Sequence, residues 1–160
     1  MEHQSEILHQ FLSDVFGDIQ KREEDSLAAG DLSLREVQLI DAVCRTVDQG
    51  GDNRSTAIAA ARRMAAGTLT SAVDLLVKKG YLIRLRDGKD RRVVRLMPTQ
   101  QGRDASERHR AFHRRITDSL LSVLSDQEAS ALMRGMEKLT DFFRGGWQAP
   151  ANQTITVQTK

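Results

Sequence analysis

A chain of 160 residues with 39% hydrophobic residues suits one domain of ordinary size, and two prolines with 4% aromatics favour helices. No run of about 18 apolar residues is present, and the start, Met1-Glu2-His3-Gln4-Ser5-Glu6, is acidic where a signal peptide would be basic, so a soluble cytoplasmic protein with no membrane partner is expected. The formal net charge is only +2, but Arg54 to Arg115 holds 16 Lys and Arg against 5 Asp and Glu, a net of +11, which leaves −9 for the rest. Such concentration of one sign is the electrostatic footprint of a nucleic-acid-binding segment, where a merely solvated surface would mix both signs.

In chain order, Ile7, Leu8, Phe11, Leu12, Val15, Phe16 and Ile19 recur at spacings of three and four, so an amphipathic helix is expected from His3 to about Ala29. Its wide apolar stripe needs a core or a partner subunit. Ser33 and Glu36 form a capping box that opens a second helix running to about Asp48, with Leu32 stapling on Val37. Val37, Ile40, Val43, Cys44 and Val47 face inward on that helix. Cys44, the only cysteine, can form no internal disulfide and no cysteine-rich metal motif; on the apolar stripe with no neighbouring His, it reads as buried and structural, not as a redox sensor. Asp52-Asn53 is expected to cap a short helix from Ser55 to Met64 with Ile58, Ala59, Ala61 and Met64 inward.

A further helix, Gly67 to Lys79, follows Ala65-Ala66. This is the spacing of a helix-turn-helix. Its buried positions are Leu69, Val73 and Leu76, so its opening turn shows Gly67, Thr68, Thr70 and Ser71, small polar residues that can approach a major groove closely. Gly80 ends it. Leu82 to Leu96 then alternates apolar residues with arginines around Asp87-Gly88-Lys89-Asp90, a basic β-hairpin. Thr99 can cap a long helix from Gln100 to about Leu124, and Ser125 with Glu128 forms a second capping box opening a last helix through Leu132, Met136, Leu139, Phe142 and Phe143 to Gly145-Gly146. The tail from Trp147 has no periodicity.

The expected fold is therefore mainly α, a winged helix-turn-helix with a two-stranded β wing, flanked by N- and C-terminal helices that form a dimerisation region. Residues 1–30 and 100–146 make up that helical region, 31–99 the DNA-binding region and 147–160 a flexible tail. The apolar stripes at the two ends should pack on each other and on a twin subunit as a homodimer. The candidate DNA-contacting set is Arg54, Ser55, Thr56, Gly67, Thr68, Thr70, Ser71, Lys78, Arg84, Lys89, Asp90, Arg91 and Arg92. An enzyme is not expected: there is no G-x-S-x-G, no H-E-x-x-H and no phosphate loop, and no cofactor is called for. A pure protein-interaction module would not require the basic segment.

Asp90-Arg91-Arg92, followed by Thr99-Gln100-Gln101-Gly102-Arg103, with Val73-Asp74 and Lys79-Gly80-Tyr81, resembles the signature of the multiple-antibiotic-resistance regulator (MarR) family of dimeric winged-helix repressors, with Pro98 where the family has Leu. That resemblance implies that Arg92 enters the minor groove, that Asp90 orients it and that the partner is a near-palindromic duplex operator. It departs at Ala65, where the family carries a Ser or Thr cap.

Within the family, Ile40-Asp41, Gly67-Thr68-Leu69-Thr70, Asp90 to Val94 and His109-Arg110-Ala111-Phe112-His113 are similar to fatty-acid-synthesis repressors of Gram-positive bacteria. The implied co-repressor is a long acyl chain, carried on acyl carrier protein that the arginines at 108, 110, 114 and 115 could receive. A pocket for it is expected from Phe11, Val15, Phe16, Ile40, Val43, Cys44, Phe112 and Ile116, residues that could equally fill a core. The alternative effector is another small hydrophobic ligand or, least favoured, zinc. His109 and His113 stand i, i+4 as a metal half-site, and zinc-responsive relatives use such a pair together with a His or carboxylate from the second helix; here that region offers Glu36, Gln38 and Asp41 but no His, and arginines surround the pair, so no metal is expected.

Overall fold

The computed structural model describes residues 2–27, 30–88, 90 and 92–145. The tail from Trp147 lies outside the described residues. Two compact units divide the chain, residues 1–114 and 115–160.

The first unit opens with α1 (Glu2–Gln10), a π-helical turn (Phe11–Val15) and α2 (Phe16–Leu27), which follow one another where a single regular helix was expected. α3 (Leu34–Asp48) begins at the Ser33 capping box: the Ser33 hydroxyl accepts from the Glu36 amide, and the Glu36 carboxylate accepts from the Ser33 amide at 2.7 Å. α4 (Ser55–Ala61) and α5 (Ala66–Lys78) form the helix-turn-helix. β1 (Leu82–Arg86) and β2 (Val94–Pro98) pair antiparallel with Leu82 opposite Pro98 and Arg86 opposite Val94, and α6 (Gln100–Ser122) follows. The expected class is what is observed, mainly helical with a two-stranded wing.

One core holds the helix-turn-helix, α3 and the base of the wing together. Ile40, Leu69, Leu76, Leu82 and Leu96 are almost wholly buried in it, with Val37, Val43, Val73 and Cys44 beside them. Each such side chain contributes about 1.5–3 kcal/mol by leaving water. The heptad-like inward positions of α3 and α5 are the ones the periodicity gives. In α4 they differ. Ile58 and Ala59 are buried, but Ala61 is exposed and the helix stops there, three residues short of Met64.

The early stop has a local cause. Met64 N donates to Ala59 O and Arg63 N to Ala60 O, the double closure that ends a helix on a left-handed residue, and Arg63 takes that position with φ 51°. α5 ends by the same closure on Gly80, φ 83°, where no Cβ is strained. An arginine there costs about 1 kcal/mol relative to glycine, and the turn leaves Arg62 and Arg63 exposed beside the start of α5.

Asn53 does not cap α4 as expected. The N-cap position is Arg54, with no side-chain cap; Asp52 Oδ1 accepts from the Arg54 amide at 3.1 Å, while Asn53 ties the segment to β2. Its side-chain nitrogen Nδ2 donates to Leu96 O at 3.0 Å, its backbone carbonyl accepts from Leu96 N, and Arg54 bridges Arg95 as a fragment of a third strand. The wing is thereby braced from the α4 side.

In the second unit α7 (Asp126–Arg144) begins at the expected Ser125–Glu128 capping box. Its apolar residues Leu132, Met136, Leu139, Phe142 and Phe143 are about half exposed. So are Ile7, Phe11, Leu12, Val15 and Phe16 in the first unit.

Candidate nucleic-acid interface

Positive charge and small hydroxyls converge where α4, α5 and the wing meet. A cleft of about 470 Å³ is lined by Arg54, Ser55, Thr56, Thr70, Arg84 and Arg92, floored by Leu69, Val73, Val93 and Val94. α5 places Gly67, Thr68, Thr70 and Ser71 on its exposed face, because Leu69, Val73 and Leu76 take the buried one. Thr70 Oγ1 donates back to Ala66 O at 2.9 Å and Ser71 Oγ to Gly67 O at 3.2 Å, so each hydroxyl oxygen keeps acceptor capacity for an incoming group. Ala65, the N-cap of α5, gives no side-chain cap. Lys78 is exposed at the far end of the same helix.

The arginines are held in place by carboxylates. Asp52 grips the Arg54 guanidinium at 2.8–2.9 Å from Nε, and the Asp52 carboxyl is pulled down to about 2 by the hydrogen bonds from Arg54. Arg84 pairs with Asp74 and donates to Thr70 O at 3.2 Å, fastening β1 to α5. Arg95 Nε donates to Asp87 at 2.7 Å and Nη1 to Asn53 at 3.0 Å. At the wing tip Asp90 Oδ1 accepts from the Arg92 amide at 2.9 Å, whereas the two side chains stand 4.0 Å apart. Asp90 thus fixes the backbone of Arg92 and leaves its guanidinium, 96% exposed, free to reach outward. The loop between the strands spans 87–93, longer than the four-residue turn expected, with Asp87 N donating to Val93 O and Val93 N to Asp90 O. Lys89 and Arg91 lie outside the described residues.

Ile40, Val43 and Cys44 are 0–2% exposed and belong to the winged-helix core, while Phe11, Val15 and Phe16 are 40–58% exposed on the N-terminal helices. Phe112 and Ile116 are half-buried on α6. The α3 stripe shares its core with residues of α5 and the wing. Cys44 is buried, and burial pushes its thiol pKa up, so it stays a protonated, structural thiol.

Sequence reasoning paired His109 with His113 but missed Glu23 beside them, and it missed the partners of Asp41. Asp41, 4% exposed, accepts from Ser106 Oγ at 2.9 Å and Arg110 Nε at 2.7 Å and pairs with Arg45 Nε at 2.9 Å, joining α3 to α6. Glu23, 5% exposed on α2, lies between the two α6 histidines, its Oε1 2.8 Å from His109 Nδ1 and 2.9 Å from His113 Nε2. His109 is buried, and desolvation lowers its pKa against the pull of Glu23. The charged run Arg22-Glu23-Glu24-Asp25 gave no local sign that one carboxylate turns inward.

Fold and basic cleft together define a winged-helix protein of the regulator type. Residues 43–94 match the family model described as MarR family. That match covers the helix-turn-helix and most of the wing, so the fold is a winged helix whose DNA-facing segment is similar to that family. Streptococcus pneumoniae FabT, solved in complex with DNA, is similar with a TM-score of 0.79 and 26% identity over 88% of this chain and 98% of its own. A MarR family protein from Bacillus stearothermophilus follows the same fold with a TM-score of 0.72 and 21% identity, covering 90% and 98%. S. aureus MepR, also solved with DNA, does so with 0.67 and 17%, covering 84% and 97%. No curated protein matches the chain in sequence. Among the described residues no helix is long and apolar enough to cross a membrane.

Proposed function

We propose that the chain is a homodimeric, sequence-specific repressor that binds double-stranded DNA through α5 and the wing. The observation that carries this reading is the basic cleft in which Arg54, Ser55, Thr56, Thr70, Arg84 and Arg92 converge beside the small polar face of α5. Small residues let a helix approach base edges, and arginines supply the phosphate and minor-groove contacts. The operator is a near-palindrome with half-sites about one helical turn apart. Because the Arg92 side chain is almost fully exposed, its removal leaves the fold intact and reports on binding alone. Arg92→Ala should weaken operator binding by about 1–3 kcal/mol, and Asp90→Ala should lose part of that by freeing the tip backbone. Unchanged affinity for Arg92→Ala in a gel-shift series would rule out the wing contact.

A second copy of the chain is the partner that suits the half-exposed apolar faces at Ile7 to Phe16 and at Leu132 to Phe143. An obligate two-fold interface buries over about 2,000 Å² of such surface. Sedimentation at micromolar concentration should show a dimer; a folded monomer would refute it.

The finer reading is a cytoplasmic repressor of fatty-acid synthesis with a long acyl chain on acyl carrier protein as co-repressor. It is supported by the resemblance of the motifs on α3, α5, the wing and α6 to fatty-acid-synthesis repressors and by the 26% identity to FabT. The exposed Phe11, Val15 and Phe16 offer apolar surface to a chain. Of the arginines offered to an acidic carrier, Arg110 is committed to Asp41 and Arg114 to Glu107, which leaves Arg108 and Arg115 as the exposed candidates. Acyl carrier protein bearing a long chain should tighten operator binding while the unacylated carrier does not. Equal affinity in both arms removes the acyl reading and leaves the DNA-binding one standing.

A further inference from the structure

We propose that Arg63, with Arg62 beside it, is a contact for the DNA phosphate backbone at the edge of the groove that α5 enters. The two residues lie in the turn between α4 and α5, and both are exposed. Arg63 holds φ 51°, the single non-glycine residue with a left-handed backbone among the described residues. The helix-ending closure it occupies is the one that Gly80 occupies after α5 at φ 83°. Glycine takes such a position without strain, and helix-turn-helix turns often carry it. Strain kept by an exposed side chain points to a task for that side chain outside its own fold.

Internal contacts do not account for it. Among the described residues neither guanidinium meets a carboxylate, whereas Arg54, Arg84 and Arg95 are paired with Asp52, Asp74 and Asp87. A cation that only solubilises the surface gains nothing from a backbone that costs it energy, and two adjacent unpaired arginines repel each other. A polyanion removes that repulsion and uses both charges. Placement agrees. In a helix-turn-helix the second helix lies in the major groove while the first crosses the phosphate backbone, so the turn between them is carried along the groove's edge. Four residues, at most about 15 Å of chain, separate Arg63 from Gly67, where the exposed small-residue face of α5 opens. With no acid of their own, these two charges release bound counterions in full on meeting phosphate, unlike Arg54 or Arg84.

This role rests on the DNA-binding reading, and the experiment separates the two. Full-length protein is titrated onto a fluorescent duplex of mixed sequence at several salt concentrations, because a phosphate contact is independent of base sequence. Arg63→Gly should raise the urea midpoint by relieving the turn, yet bind about fivefold more weakly at about 0.15 M salt, with a salt slope shallower by about 0.9. Arg63→Gln keeps the strained backbone and loses only the charge, so it should show the same loss of affinity and slope with no gain in midpoint. Native affinity and slope in Arg63→Gln overturn the contact while leaving the DNA-binding reading intact. So does a urea midpoint that Arg63→Gly fails to raise, which would show that the protein itself uses the side chain. Failure of the native chain to bind the duplex at low salt overturns both.

Discussion

Gly102→Ala should destabilise the winged helix by about 3 kcal/mol or more, the upper range for overpacking. A Cβ at residue 102 would stand 2.2 Å from the Tyr81 carbonyl oxygen and 3.3 Å from its carbon. Neither neighbour can yield cheaply, because both belong to backbone. That carbonyl is held by Thr99, whose amide and Oγ1 both donate to it at 3.1 Å, while the same Oγ1 accepts from the Gly102 amide as the cap of α6. Alanine therefore has to pry α6 from the start of the wing or break the cap. Urea unfolding of the variant should show a lower midpoint with an unchanged slope; a loss under about 1 kcal/mol would mean that the two segments separate freely.

Asp41→Ala should cost about 2–3 kcal/mol, since it strips a buried carboxylate from Ser106, Arg110 and Arg45 and leaves an Arg110 nitrogen that is already buried and unpartnered with still less compensation. Arg45 is more than half exposed and Arg110 a third, so both can turn to water; this keeps the loss below that of a fully enclosed pair. The pH dependence has a definite sign. Burial alone would raise the Asp41 pKa, but the hydrogen bonds from Arg110 and Ser106 and the charges of Arg45 and Arg110 outweigh it and hold the group below its ordinary 3.8. A folded-state pKa below the unfolded one contributes stability that is whole above pH 3.8 and fades as pH falls through the folded value. The stability gap between native protein and Asp41→Asn, followed by thermal unfolding, should therefore stay constant from neutrality to about pH 4 and shrink only below it. A gap that shrinks between pH 7 and 5 would show that another group carries the effect.

Local patterns were enough for most elements, because a helix that carries its own cap or stop announces itself within a few residues. The boxes at Ser33 and Ser125, Gly80 after α5 and the period of Leu69, Val73 and Leu76 are short-range signals, and all are realised. The end of α4 was not legible, since nothing in Ala61-Arg62-Arg63 marks an arginine that will adopt a left-handed backbone. Partnerships between distant charges were hidden for a different reason. Asp41 meets Arg110 across 69 residues and Glu23 meets His113 across 90, and no periodicity of one helix encodes which residue of another will face it. The apolar set on α3 has the same limit: a stripe shows that a helix is covered, and it does not show by what.

The carboxylates beside the arginines of the basic cleft act as built-in counterions. Asp52 and Asp74 stand beside Arg54 and Arg84, so a duplex that approaches displaces protein acids as well as dissolved cations. Each swap releases fewer small ions than a bare arginine meeting a phosphate. The affinity of this surface should consequently fall less steeply with added salt than its arginine count implies. A surface of this kind holds loosely to any polyanion and tightens only where a partner's phosphates line up well enough to replace all its own acids at once.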